Sequence, residues 1–100
     1  MPTSLQEMTT HARGLAEERQ LRLYRRRSKR ILRRLLKRFT RYAGVGRGRC
    51  MLELGDSDFC GVDFRMDSAR SSLVRDLTKL EPGIVISWYL DCVTFIWLQP

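Results

Sequence analysis

Twelve cations and no anion stand between residues 19 and 41: Arg19, Arg22, Arg25, Arg26, Arg27, Lys29, Arg30, Arg33, Arg34, Lys37, Arg38 and Arg41. The chemistry such a set can do is recognition of phosphate. Ten of the twelve are arginines, whose planar guanidinium binds phosphate in a bidentate manner, stacks on unpaired bases and reads guanine edges in ways a lysine ammonium cannot. The spacing of the intervening apolar residues says what carries them. With residues placed at about 100° intervals, Leu21, Tyr24, Ile31, Leu32, Leu35, Leu36, Phe39 and Tyr42 fall within about 140° of one another, the pattern of an amphipathic helix. Like charges four apart on such a helix repel by a few tenths of a kcal/mol per pair. A polyanion removes that repulsion and releases its own condensed counterions on binding. The segment is therefore expected to bind RNA, with DNA as the alternative.

The clusters Arg25-Arg26-Arg27-Ser28-Lys29-Arg30, Arg33-Arg34 and Lys37-Arg38 also satisfy the requirements of a nuclear localisation signal, so the protein is expected in the nucleus or nucleolus, with the cytoplasm open to it as well. The stretch Leu23-Tyr24-Arg25-Arg26-Arg27-Ser28-Lys29-Arg30 resembles in composition the arginine-rich RNA-binding segments of small viral regulatory proteins, and implies an accessory protein of that kind. The likeness assigns neither a family nor a residue role. Arg25 lies three residues before Ser28, the spacing basophilic kinases favour, which makes Ser28 a candidate phosphosite where added negative charge would oppose binding. A basic amphipathic helix has other physical uses, as a solvated face, at an anionic membrane surface, or in the groove of an acidic protein.

Other constellations nominate no catalysis. His11 is the only histidine and has no nucleophile or orienting carboxylate arranged around it in sequence. Asp56, Asp58, Asp63 and Asp67 lack the rest of a calcium-loop pattern and read as turn residues. Cys50, Cys60 and Cys92 are an odd set with no Cys-x-x-Cys spacing, consistent with small buried hydrophobes in a reducing compartment. The glycines between residues 44 and 48 lack the Lys-Ser/Thr ending of a phosphate-binding loop. No enzyme activity, cofactor or metal is expected.

These residues need a scaffold, and 100 residues allow only a small one. The net charge of +8 is unevenly divided: up to Gly48 there are 14 cations and 3 anions, and thereafter 5 cations and 8 anions. Residues 1–18 carry three carboxylates and no long apolar run, so a secretory leader is not expected. Ser4-Leu5-Gln6-Glu7 has the spacing of a capping box and predicts a helix start. The stripe Leu5, Met8, Ala12 and Leu15 points away from the later apolar face, which predicts a break between Gly14 and Gln20.

The organisation expected is a helical arginine-rich segment over 1–43, a glycine linker over 44–48 and a small α+β module over 49–100. Within the module, residues 50–54 and 60–66 alternate apolar and polar around a turn-rich stretch and predict a hairpin with an odd-length loop. A helix capped by Asp67 or Ser68 and stopped at Glu81-Pro82-Gly83 follows, with Leu73, Leu77 and Leu80 along one side. Residues 84–98 predict one long strand, or two divided near Asp91. The fold class is α+β, an N-terminal basic amphipathic helical segment followed by a ββαβ(β) unit. So small a core makes a homo-oligomer or a protein partner attractive. Trp88 and Trp97, at odd separation, would lie on opposite faces of an uninterrupted strand and are candidate interface residues. A partner-binding or membrane-surface adaptor is the rival function; it would use residues 84–98 as a continuous helix, whereas strands there favour the nucleic-acid binder.

Overall fold

Ser4 stands in extended backbone and its Oγ accepts a hydrogen bond from Glu7 N at 3.1 Å, satisfying one of the free donors of the helix that begins beside it. That helix, α1 (Leu5–Gly44), runs unbroken for 40 residues in the computed structural model, which describes residues 4–98. The outermost residues of the two expected segments, 1–3 and 99–100, lie outside the described residues. At 1.5 Å per residue α1 is about 60 Å long, and it sets the 56 Å long axis of the molecule. The remaining elements are β1 (Arg49–Glu53), a single 3₁₀ turn at Ser57–Phe59, α2 (Asp67–Leu80), β2 (Val85–Tyr89) and β3 (Cys92–Ile96). The fold is mixed α+β, with two helices and a three-stranded antiparallel sheet in the order β1-β3-β2.

The expected break between Gly14 and Gln20 is absent. It rested on the premise that both apolar stripes must be buried, and only the second one is. Leu5, Met8 and Leu15 are exposed, while Tyr24, Ile31, Leu35 and Phe39 enter the core. The stretch where a break was expected is held by tertiary contacts. The Glu17 carboxylate accepts from Asp67 N at 3.0 Å and Ser68 N at 2.8 Å, Ser68 Oγ donates to Glu17 O, and Gln20 Oε1 accepts from Asp63 N at 2.9 Å. Glu17 thereby caps α2 from another helix. Neither Asp67 nor Ser68 is the N-cap; that position is Met66, which makes no side-chain cap bond. A carboxylate at a helix N-terminus is doubly suited, as acceptor and as countercharge to the dipole.

The second predicted strand is also absent. Val62 and Phe64 are buried as the alternation requires, yet they enter the core from turns and loop. Cys60 and Gly61 take positive φ of 53° and 80°, which takes the chain out of extended geometry, and the partner of β1 is β3, with Cys50 opposite Phe95 and Leu52 opposite Val93. The observed order is thus βαββ, not ββαβ(β). Residues 84–98 form two strands joined at Leu90 and Asp91. The turn restores parity between the tryptophans: Trp88 pairs with Val93, and Trp97 follows Val93 and Phe95 on the same face. Both are half-buried against the core, Trp97 at 5.2 Å from the Phe39 ring and Trp88 beneath the Arg70 guanidinium. Leu80 is exposed, unlike Leu73 and Leu77.

The inner sheet face packs on both helices, and Phe39 meets Phe95 at 4.9 Å between ring centroids. Of residues 44–48, Gly44 belongs to α1 and Gly48 is tightly packed. Gly48 O accepts from Trp97 N and Leu98 N, and a Cβ on Gly48 would lie 2.7 Å from that of Leu98.

The Ser68 hydroxyl and N–H beside it, together with Asp67 N–H, hold the Glu17 carboxyl below its usual range against the opposing effect of burial. A depressed carboxylate contributes stability that is present above its unfolded value of about 4.3 and lost as pH falls through and below it. Glu17→Gln should therefore be less stable than wild type at neutral pH, and the difference should shrink in acid. Urea unfolding at pH 7 and pH 3 measures it.

Candidate nucleic-acid interface

The core side of α1 is defined by Tyr24, Ile31, Leu35 and Phe39. Tyr24 is anchored as well as buried: its hydroxyl donates to Asp76 Oδ2 at 2.9 Å on α2, and burial together with that carboxylate pushes its pKa above the ordinary phenol value. Anchoring this side fixes where every cation on α1 points.

The twelve cations then separate into two groups. Arg27, Arg34 and Arg38 lie along one flank and hold the segment that follows β1. Arg27 Nη1 donates to Cys60 O, and Arg34 Nη1 reaches Ser57 O at 3.5 Å and Asp58 at 3.7 Å. Arg38 pairs with Asp56 at 3.2 Å and Asp58 at 2.9 Å. Partial burial works against the charge of Arg38, but Asp56 and Asp58 outweigh it and raise its pKa above the ordinary value. Asp56 also caps the 3₁₀ turn, accepting from Asp58 N at 2.9 Å. Of the aspartates read as turn residues, Asp56 and Asp58 are turn residues and counterions at once, whereas Asp67 opens α2.

The other nine, Arg19, Arg22, Arg25, Arg26, Lys29, Arg30, Arg33, Lys37 and Arg41, are all exposed. Among the described residues none of them forms an ion pair. At about 100° per residue they occupy an arc of about 160°, centred opposite the buried seam, and they run about 33 Å along the axis. Arg47 and Arg49, beyond the helix end, are exposed too, and Arg47 lies 5.4 Å over the Tyr42 ring. The result is a convex half-cylinder of positive charge, suited to seating in a groove or along a backbone.

Ser28 is half-buried and its Oγ donates to Arg25 O at 3.3 Å within the helix. Trp88 and Trp97 lie on the inner side of the sheet, away from the cationic arc. His11 is exposed on α1. Cys50 is buried, which pushes its thiol pKa up despite the nearby Arg38, while Cys60 and Cys92 are half-buried and unpaired. Among the described residues no three His, Cys, Asp or Glu side chains converge on a metal-sized space, and no helix is long and apolar enough to cross a membrane.

Sequence reasoning missed the division of the cations and the role of Glu17. The signal for the first was present, since Asp56 and Asp58 are the only close acidic pair near the end of the basic segment. No known protein family, curated protein or solved structure matches the chain.

The two groups should respond differently to truncation. Arg38→Ala leaves two partly buried aspartates without their main cation and should lower the unfolding free energy by about 1–3 kcal/mol. Arg33→Ala removes the same formal charge from the exposed arc and should change stability by no more than about 0.5 kcal/mol. Parallel chemical denaturation of the two variants makes the comparison.

Proposed function

We propose that the protein is a small regulatory or accessory protein that binds RNA, with DNA as the alternative, through the exposed cationic arc of α1, with the βαββ module holding that helix and offering surfaces for assembly. The observation that carries this is the set of nine exposed cations with no ion pair among the described residues. Six pairs among them stand four residues apart, a standing repulsion of about 1–3 kcal/mol. A surface kept only for solubility mixes both signs and avoids that cost. Seven of the nine are arginines, which favours bidentate phosphate contact and stacking on unpaired bases. RNA offers both together, in loops and bulges, and this supports it over duplex DNA.

The adaptor function draws less support, because residues 84–98 form a hairpin whose inner side chains pack into the core. One observation still speaks for an anionic membrane surface: Leu5, Met8 and Leu15 are exposed and lie on the same side of α1 as the cations. A filter-binding or sedimentation titration with RNA, DNA and anionic vesicles in parallel separates the readings.

With about six to eight phosphates contacted, RNA affinity should fall roughly a thousandfold between 50 and 200 mM salt. A slope equivalent to one or two ions would overturn the polyanion reading, and tighter binding to vesicles than to RNA would favour the membrane.

The same guanidiniums are proposed to direct nuclear or nucleolar accumulation. Arg25, Arg26 and Arg30 belong to the exposed arc and Arg27 to the docked flank, so replacing Arg25, Arg26 and Arg30 by alanine spares the fold. The tagged triple variant should lose nuclear enrichment; retention equal to the parent's would exclude this cluster as the signal.

A further inference from the structure

Among the described residues β1 is bonded to β3 along one edge and to no strand along the other. Trp97 N donates to Gly48 O and Leu54 N donates to Asp91 O. The even-numbered residues of β1 therefore make the ladder with β3, and the N–H and C=O groups of Arg49, Met51 and Glu53 face outward. Among the described residues the only backbone bond to these outward groups is from Asp56 N to Glu53 O. The strand has no proline, and its register with β3 runs without a bulge. Two of the devices that normally blunt an open edge are missing.

The third device, charge, is present in an unusual arrangement. Arg49 and Glu53 stand two residues either side of Met51, share its face and are exposed, as Met51 is at 66%. In an antiparallel copy centred on Met51, Arg49 of each chain lies opposite Glu53 of the other. Sliding by two residues breaks both Arg49–Glu53 pairs and sets Met51 against Arg49 or Glu53, sliding by four sets Arg49 against Arg49 or Glu53 against Glu53, and a parallel, in-register copy sets like against like throughout. Opposite charges directly across a strand pair stabilise it and like charges destabilise it. One register is thereby selected, and it closes at two copies. The other open edge, β2, carries no charge over Val85–Tyr89 and has no such selection.

We infer that the protein forms a twofold dimer by antiparallel pairing of β1 with β1 of a second copy, Met51 facing Met51, in a continuous six-stranded sheet. The axis is normal to the sheet, so both α1 helices lie on the same side of it. The interface is small, and the Kd is expected in the range of roughly 1–100 μM. The inference is independent of the nucleic-acid proposal.

Sedimentation of the nuclease-treated full chain tests it, at about 0.3 M salt, where screening within less than 8 Å weakens repulsion between the two cationic copies but not a contact pair. Wild type should dimerise. Arg49→Glu alone and Glu53→Arg alone should each weaken self-association by roughly tenfold or more. Mixed together, these two variants should form a heterodimer, because each then supplies the charges the other needs. The double variant carrying both changes should dimerise as wild type does. Circular dichroism of each variant checks that it is folded. A wild type that stays monomeric to roughly 100 μM, single variants that associate as the parent does, or a mixture no more associated than its components would each overturn the inference.

Discussion

One packed seam supports the molecule: Tyr24, Ile31, Leu35 and Phe39, pressed from α1 into the space between α2 and the sheet. Without it the inner face of three short strands would be covered by α2 alone, which is too little to sustain so small a core. The seam also decides a contest. Each of these side chains contributes about 1.5–3 kcal/mol on burial, whereas repulsion along the exposed arc amounts to about 1–3 kcal/mol in all. Burial wins with room to spare, and a helix that would fray in isolation is held unbroken with its charges displayed. The polar contacts on either side of the seam add direction. Arg34 and Arg38 grip Asp56 and Asp58 on one flank, and Glu17 grips the start of α2 farther along.

How much of this was legible in the sequence depended on whether the deciding partner was local. The α1 face could be read from residue spacing because helical geometry is local, and so could the stop after Leu80, where Pro82 and Gly83 forbid continuation. The halves of the 84–98 hairpin were read from β-branched content and the turn near Asp91. The failures share a cause. Residues 60–66 alternate like a strand, but Arg27 holds Cys60 O and the backbone at Cys60 and Gly61 turns left-handed, so the alternation survives as burial without a ladder. Asp67 and Ser68 carry the right chemistry to cap a helix, yet the helix already includes them, and Glu17, fifty residues earlier, accepts from their N–H groups. Pattern rules do not report competitors so distant in the chain.

The candidate site divided along the same line. That residues 19–41 form a cationic amphipathic helix followed from composition and period. Which three cations serve the fold could not follow, because Arg27, Arg34 and Arg38 differ from their neighbours only in lying toward a segment whose position is set by tertiary structure. Parity misled at the tryptophans for a related reason: counting across residues 88–97 assumes one strand, and the two-residue turn at Leu90 and Asp91 returns Trp97 to the side of Trp88.

The seam joins residues more than fifty positions apart in sequence, and that places a delay in the protein's synthesis. Phe39 meets Phe95 and Trp97, so α1 leaves the ribosome long before its cover exists. At about 5–20 residues per second the interval is about 3 to 11 s. Throughout it the nascent helix shows an apolar stripe on one side and uncompensated arginines on the other, within reach of the ribosome's own RNA. Repulsion along the arc opposes collapse of the half-made chain, and the sheet that covers the stripe is complete only when β3 has been made.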